Sequence, residues 1–403
     1  MVGDLNSVFL PEDSKILRQP ISPEIPRSDQ FMAEFDQRGI FYSVFRDISG
    51  KRVWFLGPEL MNLKAEVLPI WVEGNRSGRR KKLRFIKNNH AIVGYANLPE
   101  TDDEAKVEIA GHTLNVGIGE NFSEANSGSR IVYCISKDND LKWIADWAHF
   151  YVKEHAADTF VIFDNNSTAY TTQDIESALN EVPGVKRAIA INWPFKFGVL
   201  DPVAQSQHQR CQILFAQRVA HMELFLRYGM FANSILNVDI DELVVSTERN
   251  SIFEVVERRF FGCLKFERYL VENVREPQIT NDLPSFREFY FRNKNHLSRQ
   301  DQYKKWIIAP SKLRRISKAP ILWTHRIYGV INPYPVAKEF KCYHFAGITC
   351  DWRKNDDMAI TREWQHERNN RVIFDNNLHV KDVFLERVLR DVFLVDKKEV
   401  KVS

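Results

Sequence analysis

The segment NVDIDELVV, residues 237–245, sets three carboxylates, Asp239, Asp241 and Glu242, directly after an apolar run that reads as a buried strand. Neighbouring carboxylates repel one another, and each loses hydration on burial, so such a cluster calls for a positive partner. Two aspartates two positions apart at a strand end can both reach a hard divalent cation such as Mg²⁺ or Mn²⁺ through oxygen. An EF-hand calcium loop is excluded, because Val244 stands where its glycine would be. The plainer alternative is a set of solvated acids closing a strand.

A second polar cluster, DNNS at Asp164–Ser167, follows another apolar run. Asp, Asn and Ser all cap their own backbone, so a turn explains these residues when they are taken alone. The same side chains can also hold a ribose or a base through hydrogen bonds.

Both clusters need elements to position them. Strand-like runs at 131–135, 159–163, 185–191 and 234–238 alternate with helical patterns. In the first helix Leu141, Ile144, Ala145, Ala148, Tyr151 and Val152 share a face; in the second Ile175, Ala178, Leu179 and Val182 do so before Pro183 and Gly184 end it. A longer helix is expected from about Gln207 to Tyr228, with Cys211, Leu214, Phe215, Met222, Phe225 and Leu226 as its stripe. The alternation predicts an α/β fold, a mostly parallel sheet flanked by helices. Ligands of such sheets collect at the carboxyl ends of the strands, and both clusters lie at such ends.

Residues 1–33 are proline-spotted and aperiodic and read as an extended N-terminal arm. Residues 34–125 carry short β-rich runs and predict a small antiparallel accessory domain preceding the α/β domain of 126–360. The tail, 361–403, contains KDVFLERVLRDVFLVDKKEVK, an amphipathic helix with Leu385, Val388, Leu389 and Val392 as its stripe and a basic end. Packing on the body is the expected use of that stripe; docking on an anionic membrane is the alternative.

With 56 Lys plus Arg against 53 Asp plus Glu, the formal charge of +3 is too small to argue for nucleic acid as a partner. The cysteines, Cys134, Cys211, Cys263, Cys342 and Cys350, form no C-x-x-C pair, which argues for reduced thiols. The N-terminal stretch lacks the apolar core of a secretory signal, so a bacterial cytoplasmic protein is expected, with peripheral contact to the inner membrane if the C-terminal helix docks there. The sequons at Asn75, Asn121, Asn165 and Asn166 then carry little weight.

The stretch CISKDNDLKWIADWAHFYVKEHAADTFVIFDNNSTAYTTQDIESAL, followed by ILNVDIDELVV, resembles the family 2-like and family 92-like glycosyltransferases. Their pattern is an Asn-Glu-type loop, a Trp-bearing helix, a strand with D-N-x-S, and later D-x-D-E-F. Here Leu243 replaces the aromatic residue, and Lys137 and Asp138 replace Asn-Glu. The resemblance spans about residues 131–246. It implies a GT-A fold and transfer of a hexosyl group from a nucleotide-sugar donor, a UDP-sugar first, to a carbohydrate or lipid-linked glycan acceptor in polysaccharide biosynthesis. It further implies Mn²⁺ or Mg²⁺ on Asp239 and Asp241, and donor contacts from Ser136, Lys137, Asp164, Asn165, Asn166, Ser167 and Asp239. Many enzymes of this fold add a histidine to the metal shell, and His344 in FKCYHFAG is the candidate, with His325 as rival.

An inverting transfer needs a base for the acceptor hydroxyl, and Glu242, Glu267 and Asp351 are the candidates. The basic run 304–315 reads as a solvated face or as a diphosphate contact. Two other functions stay open: a sugar-phosphate nucleotidyltransferase, which would want a glycine-rich phosphate loop that CISKDND lacks, and a non-catalytic glycan-binding module on a degenerate transferase fold.

Overall fold

The structure is a computed structural model that describes residues 5–86, 91–207, 212–276, 278–279, 283–296, 301–316, 321–328, 336–348 and 374–393. Its centre is an eight-stranded mixed sheet. In chain order the strands are β1 (Arg130–Ser136), β2 (Thr159–Asp164), β3 (Arg187–Asn192), β4 (Ser234–Asn237), β5 (Glu242–Ser246), β6 (Cys263–Val271), β7 (Asp301–Ile308) and β8 (Val336–Phe345). Across the sheet they run β3-β2-β1-β4-β7-β6-β8-β5.

The first four are parallel, with Ser136 beside Asp164 and Tyr133 beside Asn237. Beyond them the expectation of a mostly parallel sheet needs correction. Strand β7 is antiparallel to β4 and to β6, and β5 is antiparallel to β8; only β6 and β8 pair in parallel. Antiparallel neighbours need no long helical crossover, and the helices that follow β5 and β7, Ile252–Arg258 and Pro310–Ile316, are short.

Helix α1 (Leu141–His155) starts where the Asp140 side chain accepts the Lys142 N–H at 2.8 Å and stops at Ala156, which adopts φ 54°. Its buried face is centred on Trp143, Ile144, Trp147, Ala148 and Tyr151, so the two tryptophans belong to the stripe and Leu141, Ala145 and Val152 flank it. Helix α2 (Thr172–Asn180) begins with a reciprocal Thr171–Asp174 capping box. Both cover one face of the sheet. So does the C-terminal helix Val383–Phe393, whose Leu385, Leu389 and Val392 join the same core. Its apolar stripe therefore packs on the body.

The long helix expected over 207–228 is broken. A short strand pair, Val199–Leu200 with Gln212–Ile213, precedes helix α3 (Phe215–Glu223), which continues as a π-helical turn over Leu224–Tyr228. Cys211 lies outside the described residues. Every residue of α3 is buried, because it is sandwiched between the sheet and the β-rich N-terminal half.

That half contains two four-stranded antiparallel sheets. One comprises Ser43–Arg46, Val53–Pro58, Ala91–Ala96 and Arg84–Phe85; the other His112–Gly117, Glu104–Ile109, Trp71–Gly74 and Arg80–Lys82. The N-terminal segment is tied on by Arg18, fully buried, whose guanidinium donates to the carbonyls of Glu59, Asp36 and Gly39. Cys134, Cys263 and Cys342 are buried free thiols. Among the described residues no helix is long and apolar enough to cross a membrane.

Candidate functional site

The parallel half of the sheet places three strand ends side by side. Ser136 ends β1, Asp164 ends β2, and the acidic loop leaves β4 on the far side of β1, two strand spacings or about 10 Å from Asp164.

The acidic loop is a tight turn. The Asp239 carbonyl accepts the Glu242 N–H at 3.0 Å, and Glu242 Oε2 accepts the Asp239 N–H at 3.0 Å. Apolar Val238 and Ile240 point inward, which turns the alternating aspartates toward the rim. The side chains of Asp239 and Asp241 are 39% and 23% exposed, whereas Glu242, the first residue of β5, is fully enclosed.

The positive partners are built in. Trp306 of β7 pairs with Asn237, so the preceding residue, Lys305, lies against the start of the acidic loop. Its fully buried ammonium is 2.7 Å from Asp239 Oδ2 and 3.2 Å from Glu242 Oε2. Arg268 of β6 approaches the other oxygen, Glu242 Oε1, at 3.4 Å. Burial works against the Lys305 charge, but Asp239 and then Glu242 outweigh it and hold the ammonium's pKa above its ordinary value. Burial also favours protonation of Asp239, yet Lys305 overrides it and keeps that carboxylate ionised. For Glu242 burial wins, and its pKa is raised.

His344 of β8 pairs across the strands with Glu242. Its Nδ1 faces Arg268 Nη2 at 3.1 Å and its Nε2 faces Asp241 Oδ2 at 2.9 Å. A guanidinium only donates, so Nδ1 accepts and the imidazole proton sits on Nε2, where it is given to Asp241. His344 in this arrangement orients Asp241, and its rival His325 is half-buried and kept neutral, its pKa driven down to about 3 by desolvation and then by Lys305 and Arg268.

A divalent cation fits the two aspartates. Carboxylate oxygens of Asp239, Asp241 and Glu242 lie within 4.8 Å of one another, and their all-oxygen chemistry suits Mg²⁺ or Mn²⁺. Glu242 is committed to Lys305, Arg268 and a backbone amide. Asp239 and Asp241 would therefore hold the ion, and Mg²⁺ in particular is commonly bound through one or two carboxylates together with substrate phosphates.

The DNNS loop is knit to the end of β1. Ser167 donates its hydroxyl to Asp164 Oδ1 and its N–H to Oδ2 at 3.3 Å, and accepts the Asp138 N–H at 2.8 Å. Burial raises the Asp164 pKa while these Ser167 bonds oppose it. Asn165, buried, sends its amide N–H groups to the carbonyls of Trp193 and Phe195 at 2.7 and 2.8 Å, which makes it a clamp on the loop after β3. Asn166 is exposed with φ 60°. The Ser136 hydroxyl accepts from Asn139 Nδ2 at 2.9 Å, and Lys137 is half-buried beside Asp164.

Of the candidate bases, Glu242 is an interior ion-pair partner. Glu267 accepts from the Tyr269 hydroxyl at 3.2 Å and so shares that residue's face of β6, opposite to Arg268 and the acidic loop. Asp351 lies outside the described residues. Lys305 and Arg268 are the residues that sequence reasoning missed. Lys305 sat in a run read as a solvated face, and the available signal was its place one residue before the apolar WIIA.

No described protein family and no curated protein matches the sequence. Among solved structures the chain is similar to a crystal structure of an active-site mutant of LgtC, with 15% identity over 46% of this chain and 59% of that one and a TM-score of 0.24. It is also similar to the apo structure of the bifunctional glycosyltransferase WbbM, with 9% identity over 51% of this chain and 36% of that one and a TM-score of 0.27. The chain thus spans less than two thirds of either structure.

Proposed function

We propose that this chain is a glycosyltransferase that moves a hexosyl group from a nucleoside-diphosphate sugar, UDP-linked first, to a carbohydrate or lipid-linked glycan in polysaccharide assembly. The observation that carries the reading is the placement of the D-x-D carboxylates and the DNNS loop at the carboxyl ends of one parallel run of strands, where such sheets bind ligands. The resemblance of both motifs to those of the family 2-like and family 92-like enzymes supports it.

In this reading the base and ribose lie against Ser136, Lys137 and the 164–167 loop, and the diphosphate lies toward Asp239 and Asp241. A divalent cation, when bound, neutralises the charge that develops on the departing diphosphate. The chain's own residues set the stage for it. Lys305 keeps Asp239 ionised, and His344 fixes the Asp241 carboxylate by a hydrogen bond. Fixed partners remove the cost of reorganising the acids when the donor arrives. For an inverting transfer Asp351 is the remaining candidate base, since Glu242 is interior and Glu267 faces away.

The deciding experiment is a panel of nucleotide sugars, each with and without Mn²⁺, scored by release of nucleoside diphosphate with a mixture of acceptors. Mn²⁺-stimulated release from at least one donor is expected. Release from none would transfer the protein to the glycan-binding reading.

A further inference from the structure

The segment 79–85, Arg-Arg-Lys-Lys-Leu-Arg-Phe, has no part in the acidic site. It forms the outer strand of both sheets of the β-rich half: Arg80–Lys82 is the last strand of one and Arg84–Phe85 the last strand of the other. Leu83, buried, anchors the crossing point between them. All five cationic side chains are exposed. Arg80 is engaged, stacked 4.5 Å over Trp71 and paired with Glu108. No carboxylate among the described residues pairs with Arg79, Lys81, Lys82 or Arg84.

We propose that this edge docks on an anionic lipid bilayer. Charged side chains on an edge strand also prevent strand-to-strand aggregation. The opposite edge of the same sheet, His112–Gly117, carries no lysine or arginine, so edge protection is not applied evenly in this domain.

Two features favour a bilayer over a soluble polyanion. Successive strand residues point to opposite sides, so the cations fan out along a ridge and line no groove, which suits a flat charged plane. Beside them Phe85 is 40% exposed, an apolar ring at the same edge that can enter the headgroup region while the long cationic stems spread along it. The surface lies in the N-terminal half, whereas the C-terminal helix spends its apolar stripe on the protein core. The inference does not depend on the chemistry of the acidic loop.

The test is co-sedimentation of the full chain with phosphatidylcholine vesicles that contain or lack phosphatidylglycerol, at low and high salt. Binding that requires phosphatidylglycerol and disappears at high salt is expected. Each basic residue near such a surface contributes about fivefold in binding, so Lys81→Gln with Lys82→Gln should weaken it roughly 25-fold. Lys153→Gln on the exposed face of α1 should leave it unchanged. Equal binding to both vesicles, no binding to either, or full binding by the double variant overturns the proposal. Binding of a soluble anionic polysaccharide or nucleic acid that needs Lys81 and Lys82, without vesicle binding, also overturns it and gives the edge to that polyanion.

Discussion

Replacing Lys305 with methionine tests whether the acidic turn is built around an internal cation. The change keeps most of the side chain's volume and removes an ammonium that is fully buried and bonded to Asp239 at 2.7 Å and to Glu242 at 3.2 Å. Arg268, which lies 3.4 Å from Glu242, then still opposes the acids of the turn. Removing one partner of a buried pair typically costs about 3–5 kcal/mol, because the other charge stays enclosed. The lower end applies here, since Arg268 remains and Asp239, at 39% exposure, can regain water. A loss of about 3 kcal/mol at neutral pH is therefore expected by urea unfolding. Adding Glu242→Gln removes the stranded charge, so the double variant should be more stable than additivity allows by about 1–2 kcal/mol. Mn²⁺ supplies a second readout. The variant's Asp239 no longer shares its oxygen with an ammonium, so saturating Mn²⁺ should raise its Tm more than that of the parent. A loss below about 1 kcal/mol, or strict additivity with Glu242→Gln, would refute the view that the turn depends on Lys305.

The parts of the molecule that were legible in sequence are those whose signals are local. Strands β1 to β4 each lie between turn residues and a helical repeat, and α1 and α2 announce their starts with Asp140 and with the Thr171–Asp174 box. The aspartates at the end of β4 were visible for the same reason: adjacent acids after an apolar strand are improbable without a partner. The partner itself was not visible. Lys305 meets Asp239 across 66 positions, and one lysine in a basic run looks the same in sequence whether it is solvated or enclosed. Strands β7 and β8 hide behind such charges, since Lys304, Lys305, Lys338 and Lys341 interrupt their apolar pattern. The broken helix fails for a related reason. Apolar spacing over 207–228 is helical throughout, but pairing of Gln212–Ile213 with Val199–Leu200 is a tertiary contact that overrides it. Glu267 and Arg268 show the same limit at one-residue resolution, because only the strand's facing decides which of two neighbours reaches the site.

Asp241→Asn should abolish Mn²⁺-stimulated donor turnover, by more than about 100-fold, while the Tm stays level or rises slightly, because the amide oxygen can still accept from His344 and one repelling charge is gone; full Mn²⁺ stimulation in this variant would remove Asp241 from the metal site. Asp164→Ala should weaken uridine diphosphate binding about tenfold by titration calorimetry and cost about 1 kcal/mol of stability, since the Ser167 hydroxyl and amide lose their acceptor; unchanged affinity in a folded variant that loses only stability would leave Asp164 a turn residue alone. The pH dependence is carried in part by His155, which ends α1 fully buried, donates from Nε2 to the Val244 carbonyl at 2.6 Å and accepts the Ile252 N–H on Nδ1 at 3.2 Å. Burial lowers its pKa from 6.5 to about 4, although the bond to Val244 opposes the shift. The unfolded chain therefore binds this proton first as the pH falls, so the stabilisation is complete above about 6.5 and is lost between there and about 4, at up to 1.4 kcal/mol per pH unit and about 3 kcal/mol in all. His155→Gln lacks the titrating group, so the stability gap between parent and variant should narrow by that amount from pH 7 to pH 4; a gap that stays constant would mean that His155 is already protonated in the folded protein or titrates alike in both states.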